Sequence, residues 1–188
     1  LANEEATSEA RDAEGRRVSF AETNWEDVAV YVGDGSCYPH ILPELSRAGM
    51  AIAGYTIDME LVYTVLMSLP ASVYQSAQGA EHGAAALAAQ FAEGHWSYWA
   101  DCLGVVNTMN STWQKQLKGK AMHAGTRRFA KAQRGTALFM QAYHVPAHRT
   151  EEEMAKLEGL EKQLALANAL VDVLAKEAAG FHKQATEE

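Results

Sequence analysis

The chain has 188 residues, 48% hydrophobic and 21% charged, with 14 Gly and 4 Pro. That is long enough for one domain with a sizeable core, and too apolar for a disordered, collagenous or low-complexity protein. Its two cysteines, Cys37 and Cys102, cannot build a disulfide framework, and no CxxC pair or Cys/His cluster has zinc spacing, so an intracellular, reducing setting is expected rather than secretion. Net charge is −8, but Cys102 to Thr150 holds eight Lys and Arg and no acid, which leaves −16 on the rest.

Residues 1–24 are polar, mixed in charge and begin without Met. They read as a leader or linker cut from something longer, ahead of a domain over 25–188. Trp25 to Val32 is apolar and β-prone and runs into Gly33-Asp34-Gly35-Ser36, which is turn chemistry, so a strand ending at an aspartate is expected. Two more strands are expected around Gly49–Ile57 and Glu60–Leu69, separated at Asp58. The uncharged run Leu61 to Ala80 has the length of a membrane span, but it contains Pro70, three serines and two glutamines, so no membrane partner is expected.

Ala80 to Gln90 is dense in alanine, which favours a helix, and Glu81 lies on it. Trp96 to Ala100 reads as a fourth strand, again ending at an aspartate, Asp101. Val105–Lys118 and Met122–Gln133 read as helices broken at Gly119, and Thr136–Val145 as a fifth strand stopped by Pro146. Thr150-Glu-Glu-Glu153 has the capping-box form. It opens a helical pattern through Phe181, which is expected to break near Gly159 so that a second helix starts at Asn168.

The resulting order, βββαβααβα, together with four motifs, resembles the ribonuclease H family over roughly residues 28–179. The motifs are Asp34-Gly35-Ser36, Ala80-Glu81, Ala100-Asp101-Cys102, and Val145-Pro146-Ala147-His148 followed by Asn168 to Asp172 and Leu174-Ala175. The resemblance implies an α/β fold with a five-stranded mixed sheet flanked by helices, and a helical insertion near 149–167. It implies catalytic carboxylates at Asp34, Glu81, Asp101 and Asp172, with His148 assisting proton transfer. Carboxylates at such density repel one another unless divalent cations lie between them, so two Mg²⁺ or Mn²⁺ ions are the implied cofactors rather than zinc. The implied activity is endonucleolytic hydrolysis of the RNA strand of an RNA–DNA hybrid, with a reverse transcriptase upstream in the same polypeptide, as in a retroelement polyprotein.

A nuclease must also hold a polyanion beside its acids. Lys115, Lys118, Lys120, Arg127, Arg128, Lys131 and Arg134 occupy the stretch that forms a basic protrusion in some ribonucleases H, with Trp113 and Phe129 interleaved to meet sugar or base faces. Competing readings stay open: a solvated charged face for the basic strip, an N-cap for Asp101, an ordinary loop residue for His148 and a surface pair with Lys176 for Asp172. A non-catalytic domain of the same fold, binding nucleic acid or a partner protein, is the alternative to an enzyme.

Overall fold

The structure is a computed structural model, and it describes residues 6–42, 45–118, 123–133, 137–147 and 149–181. A short hairpin, β1 (Ser8–Asp12) and β2 (Arg17–Val18), precedes three long antiparallel strands, β3 (Val30–Tyr38), β4 (Arg47–Tyr55) and β5 (Leu61–Ser68). Helix α1 (Ala77–Phe91) leads to β6 (His95–Ala100), and α2 (Leu103–Met109), α3 (Trp113–Gln116) and α4 (Ala124–Gln133) lead to β7 (Leu138–His144). The chain closes with α5 (Glu151–Ala155) and α6 (Gly159–Ala179). One sheet results, in the order β2-β1-β5-β4-β3-β6-β7, with β6 parallel to both β3 and β7.

Two helices cover opposite faces of the sheet, and the side-chain alternation of the strands decides which residues meet which helix. Tyr31, Met50, Ile52 and Val65 pack with the alanines of α1, and Trp96 and Tyr98 join them from β6. Val30, Val32 and Ala53 pack with Leu164, Ala167 and Val171 of α6, while Ala51 and Leu66 pack with Leu174, Ala175 and Ala178. Burying one such large aliphatic side chain is worth roughly 1.5–3 kcal/mol.

The sheet has seven strands rather than the expected five, because residues 8–18 of the expected leader pair on its edge. Ser8 to Asp12 lies antiparallel to β5, from Ser8 opposite Met67 to Asp12 opposite Tyr63. Only Ala10 of β1 is buried. Ladder hydrogen bonds and ion pairs hold the rest, Arg11 reaching Glu9 and Glu177 of α6, and Arg17 reaching Glu9. A strand held that way leaves no apolar periodicity in its sequence.

The strand expected to stop at Asp34 continues to Tyr38, and Gly33-Asp34-Gly35-Ser36 is extended backbone paired with β4. The glycines serve close approach there, not a turn. A Cβ on Gly33 would meet the Tyr98 ring, and one on Gly35 would overlap the α1 backbone at Ala80 and Glu81. Gly49 on β4 does the same for α6, where a Cβ would overlap Ala178 and Ala179.

At the C-terminal end the Thr150 capping box forms, with the Thr150 hydroxyl accepting from the Glu153 amide. The helical pattern breaks before Gly159, which has φ +55°. The second helix does not start at Asn168, however. It runs unbroken from Gly159, and Asn168 is buried in its middle, because Leu164, Ala167 and Val171 keep the same apolar face on the sheet. Gly49→Ala should therefore lose roughly 3 kcal/mol of stability by overpacking. Urea unfolding would measure it, and a loss below about 1 kcal/mol would show that α6 does not seat on β4 as described.

Candidate metal centre

Strands β3 and β6 pair in parallel only from Val30 opposite Ser97 to Val32 opposite Trp99. Beyond that register β3 runs on beside β4 alone, while β6 ends at Ala100 and the chain turns away. A crevice opens where parallel strands part, at their carboxyl ends, and such crevices are where ligands bind in open α/β sheets. Asp34 lies on β3 just past the split, and Asp101 directly follows β6. Glu81 reaches them from α1, whose first turns touch β3 at Gly35. One ligand atom from each of Asp34, Glu81 and Asp101 falls within 4.8 Å of the others.

Acids this close could hold a divalent cation. Burial pushes the Asp34 carboxyl up to about 6, and the charges of Asp101 and Asp172 add to that, against the Gly35 amide, which donates to Asp34 Oδ1 at 2.7 Å. Burial, then the Asp34 charge, pushes Glu81 up further, so Glu81 keeps a proton and donates it to Asp34. Its Oε2 is buried with no hydrogen-bond partner. A buried, orphaned carboxyl oxygen beside two further acids is costly as it stands, and it fits the hard-cation coordination of Mg²⁺ or Mn²⁺, which take oxygen ligands.

Other residues hold the acids in place. Asn168 of α6 donates from Nδ2 to Asp101 Oδ2 at 3.4 Å, so its role is to orient an acid rather than to cap a helix. The N-cap of α2 is Cys102, with no side-chain cap bond, which leaves the Asp101 carboxylate available to the cluster. Asp172, one turn beyond Asn168, stands at the rim. It pairs with Lys176 at 2.7 Å and is outside the three-carboxylate cluster, although its charge reaches Asp34. His144 ends β7 opposite Ala100, and its Nε2 lies 3.0 Å from the Asp101 carbonyl oxygen. Spacing among the histidines gives no hint of that, since only the β6–β7 register brings His144 to Asp101. His148 lies outside the described residues.

The basic strip divides. Lys115, Lys118, Arg128 and Lys131 are exposed, and the Lys131 ammonium sits 5.9 Å from the centre of the Trp113 ring. Arg127 does not belong with them. It is 3% exposed, turned into α1, with Nη2 on His82 Nδ1 at 2.7 Å. On α4 it shares a face with Ala124 and Ala130, both buried, and that spacing of three is the sequence signal for an inward-facing residue. Lys120 and Arg134 lie outside the described residues. Phe129 is exposed.

No protein-family model and no characterised protein matches the sequence. Solved structures do. The solution structure of the PFV RNase H domain aligns with a TM-score of 0.60 at 19% identity, over 82% of this chain and 96% of that one. RNase H1 from the halophilic archaeon Halobacterium salinarum aligns at 0.54 and 16% identity, over 80% of this chain and 96% of its own. A foamy viral protease-reverse transcriptase in complex with RNA/DNA hybrid aligns at 0.58 and 16% identity, over 86% of this chain but 22% of its own. The chain therefore has the ribonuclease H-like fold. No described helix is long and apolar enough to cross a membrane.

The raised carboxyls have a signed consequence. Between the ordinary value of 3.8 and about 6, the folded protein holds a proton on Asp34 that the unfolded chain has lost, so this contribution is present below pH 4 and disappears as pH rises through 6. His82, pushed down to about 3 by burial, works in the opposite direction. The comparison with Asp34→Asn isolates the acid: in metal-free buffer the variant should gain on the wild type as pH rises from 4 to 7, by on the order of 1 kcal/mol. Denaturant titrations across that range measure it, and a difference that stays constant or shrinks would contradict the crowding of these acids.

Proposed function

We propose that the chain is a divalent-metal-dependent ribonuclease H-type endonuclease that hydrolyses the RNA strand of an RNA–DNA hybrid. The convergence of Asp34, Glu81 and Asp101 within 4.8 Å, at the split between two parallel strands of a ribonuclease H-like fold, carries this reading. Those three would hold two Mg²⁺ or Mn²⁺ ions, with Asp172 completing the site from the rim. Bound there, the ions would supply an activated water and neutralise the charge that develops on the leaving oxygen of a phosphodiester.

The protein's own part is placement. Gly35 admits α1 close enough for Glu81 to reach Asp34, and Asn168 fixes the rotamer of Asp101. His148, which follows Val145-Pro146-Ala147 in the sequence, is assigned proton transfer near the leaving group. Lys115, Lys118, Arg128 and Lys131, with Lys120 and Arg134 of the same segment, are assigned to the phosphate backbone. The hybrid is made where reverse transcription occurs, and the protease-reverse transcriptase among the matched structures supports an upstream reverse transcriptase domain as partner and an intracellular setting.

In Mg²⁺, the protein should cleave a hybrid in preference to duplex RNA or duplex DNA of the same sequence. Loss of an outer-shell partner alone typically costs roughly 10–100-fold, so Asp34→Asn should lose more than about 100-fold while remaining folded. Asp172→Asn should lose activity that added metal partly restores. Hybrid cleavage by Asp34→Asn at the wild-type rate would contradict the proposal, and a metal-binding but inactive wild type would favour the non-catalytic alternative. Replacing Lys115, Arg128 and Lys131 together with Gln should weaken duplex binding and flatten the logarithmic salt dependence by about 0.9 for each phosphate contact removed. An unchanged slope would leave these cations a solvated face.

A further inference from the structure

A second pocket lies further along α1, with Ala85, one turn beyond Glu81 on the same helix face, in its wall. It measures about 460 Å³ and is enclosed by α1, α2, α3, α4 and the start of β7. Arg127 and Trp96 both line it.

Arg127 is a buried cation without a counter-charge. No carboxylate pairs with it among the described residues. Its one hydrogen-bond partner, His82, is neutral, because an arginine only donates and Nδ1 must therefore accept. Burial lowers the guanidinium to about 10, which still leaves it charged at neutral pH. Its Nε has no partner, and neither has the indole Nε1 of Trp96, which is 2% exposed. A charge in this state costs several kcal/mol unless something pairs with it.

Two amides of the wall are engaged with backbone. The Asn110 amide both donates to and accepts from the backbone of Ala142, and the Gln116 amide donates to the carbonyls of Ser111 and Met109. Among the buried side-chain polar atoms of the described lining residues, the two without a partner are both donors, one of them on a cation. A ligand that completes the pocket must bring acceptors and negative charge. The rings of Trp96, Trp113 and Phe139 form its walls, which suits a flat apolar body, and the volume is in the range of small-molecule sites.

We infer that this pocket binds a small organic anion, a carboxylate or phosphate monoester on a flat ring, with its acid group against the Arg127 guanidinium. The inference stands apart from the nuclease reading, since it uses none of the carboxylates and none of the exposed cations.

Calorimetry and thermal unfolding on the whole chain, at fixed ionic strength and without metal, test it with four probes: phenyl phosphate, benzoate, inorganic phosphate and the neutral benzyl alcohol. Phenyl phosphate or benzoate should saturate one site and raise Tm, with benzyl alcohol and inorganic phosphate each at least tenfold weaker. Arg127→Met should lose at least tenfold in affinity without a lower Tm, because it removes an unpaired buried charge. Trp113→Ala, at the wall, should weaken binding while Arg127 stays in place, and it decides the matter if Arg127→Met does not fold. No saturable binding by either aromatic acid, equal binding of benzyl alcohol or of inorganic phosphate, or undiminished affinity in both variants would overturn the inference.

Discussion

Three acids crowded into one crevice cannot all carry their charge without repelling one another, and the rest of the structure is what keeps them there. One acid rides on β3 and another directly follows β6, two parallel strands that separate just before these side chains emerge. The third comes from a helix pressed so closely to the sheet that β3 must carry glycine beneath it. The free energy that holds this arrangement comes from elsewhere: the alanine-rich face of α1 on one side of the sheet and the Leu, Val and Ala face of α6 on the other. The site is thus a region of local electrostatic cost, maintained by apolar packing on both sides, and a bound cation would relieve it.

The same packing explains why the site has a supporting residue. Helix α6 seats on β4 at Gly49, and this places Asn168 beside Asp101 and Asp172 at the rim. A helix that started at Asn168 would present a cap there instead. Because the helix begins nine residues earlier, at Gly159, its middle faces the crevice, while Leu160 and Leu166 are exposed.

Much of this was legible in the residues. Asp34, Glu81 and Asp101 were recognisable because each belongs to a short motif on an element of definite type, and the order of those elements is constrained. The capping box at Thr150 was equally readable, since it is a local arrangement of four residues. Features that depend on contact across the fold were not. Gly33 and Gly35 look like a turn because glycine marks both turns and close approach, and only the helix above them separates the two. Strand β1 carries one buried residue, Ala10, so pairing with β5 and ion pairs to Glu9 and Glu177 stand in for a pattern that the sequence lacks. Arg127 counted as one cation of a basic strip although Ala124 and Ala130 share its face of the helix, and its burial follows from α1 lying against that face.

The central claim is that the buried acids form a divalent cation site, so that their excess protons leave when the ion arrives. Calorimetric titration of the wild-type protein with Mg²⁺ or Mn²⁺ at pH 7, in two buffers of different ionisation enthalpy, reads both events at once. The account predicts saturable binding accompanied by proton release, with the release reduced in Glu81→Gln. Absence of saturable binding, or binding that releases no protons from the wild type, would contradict it.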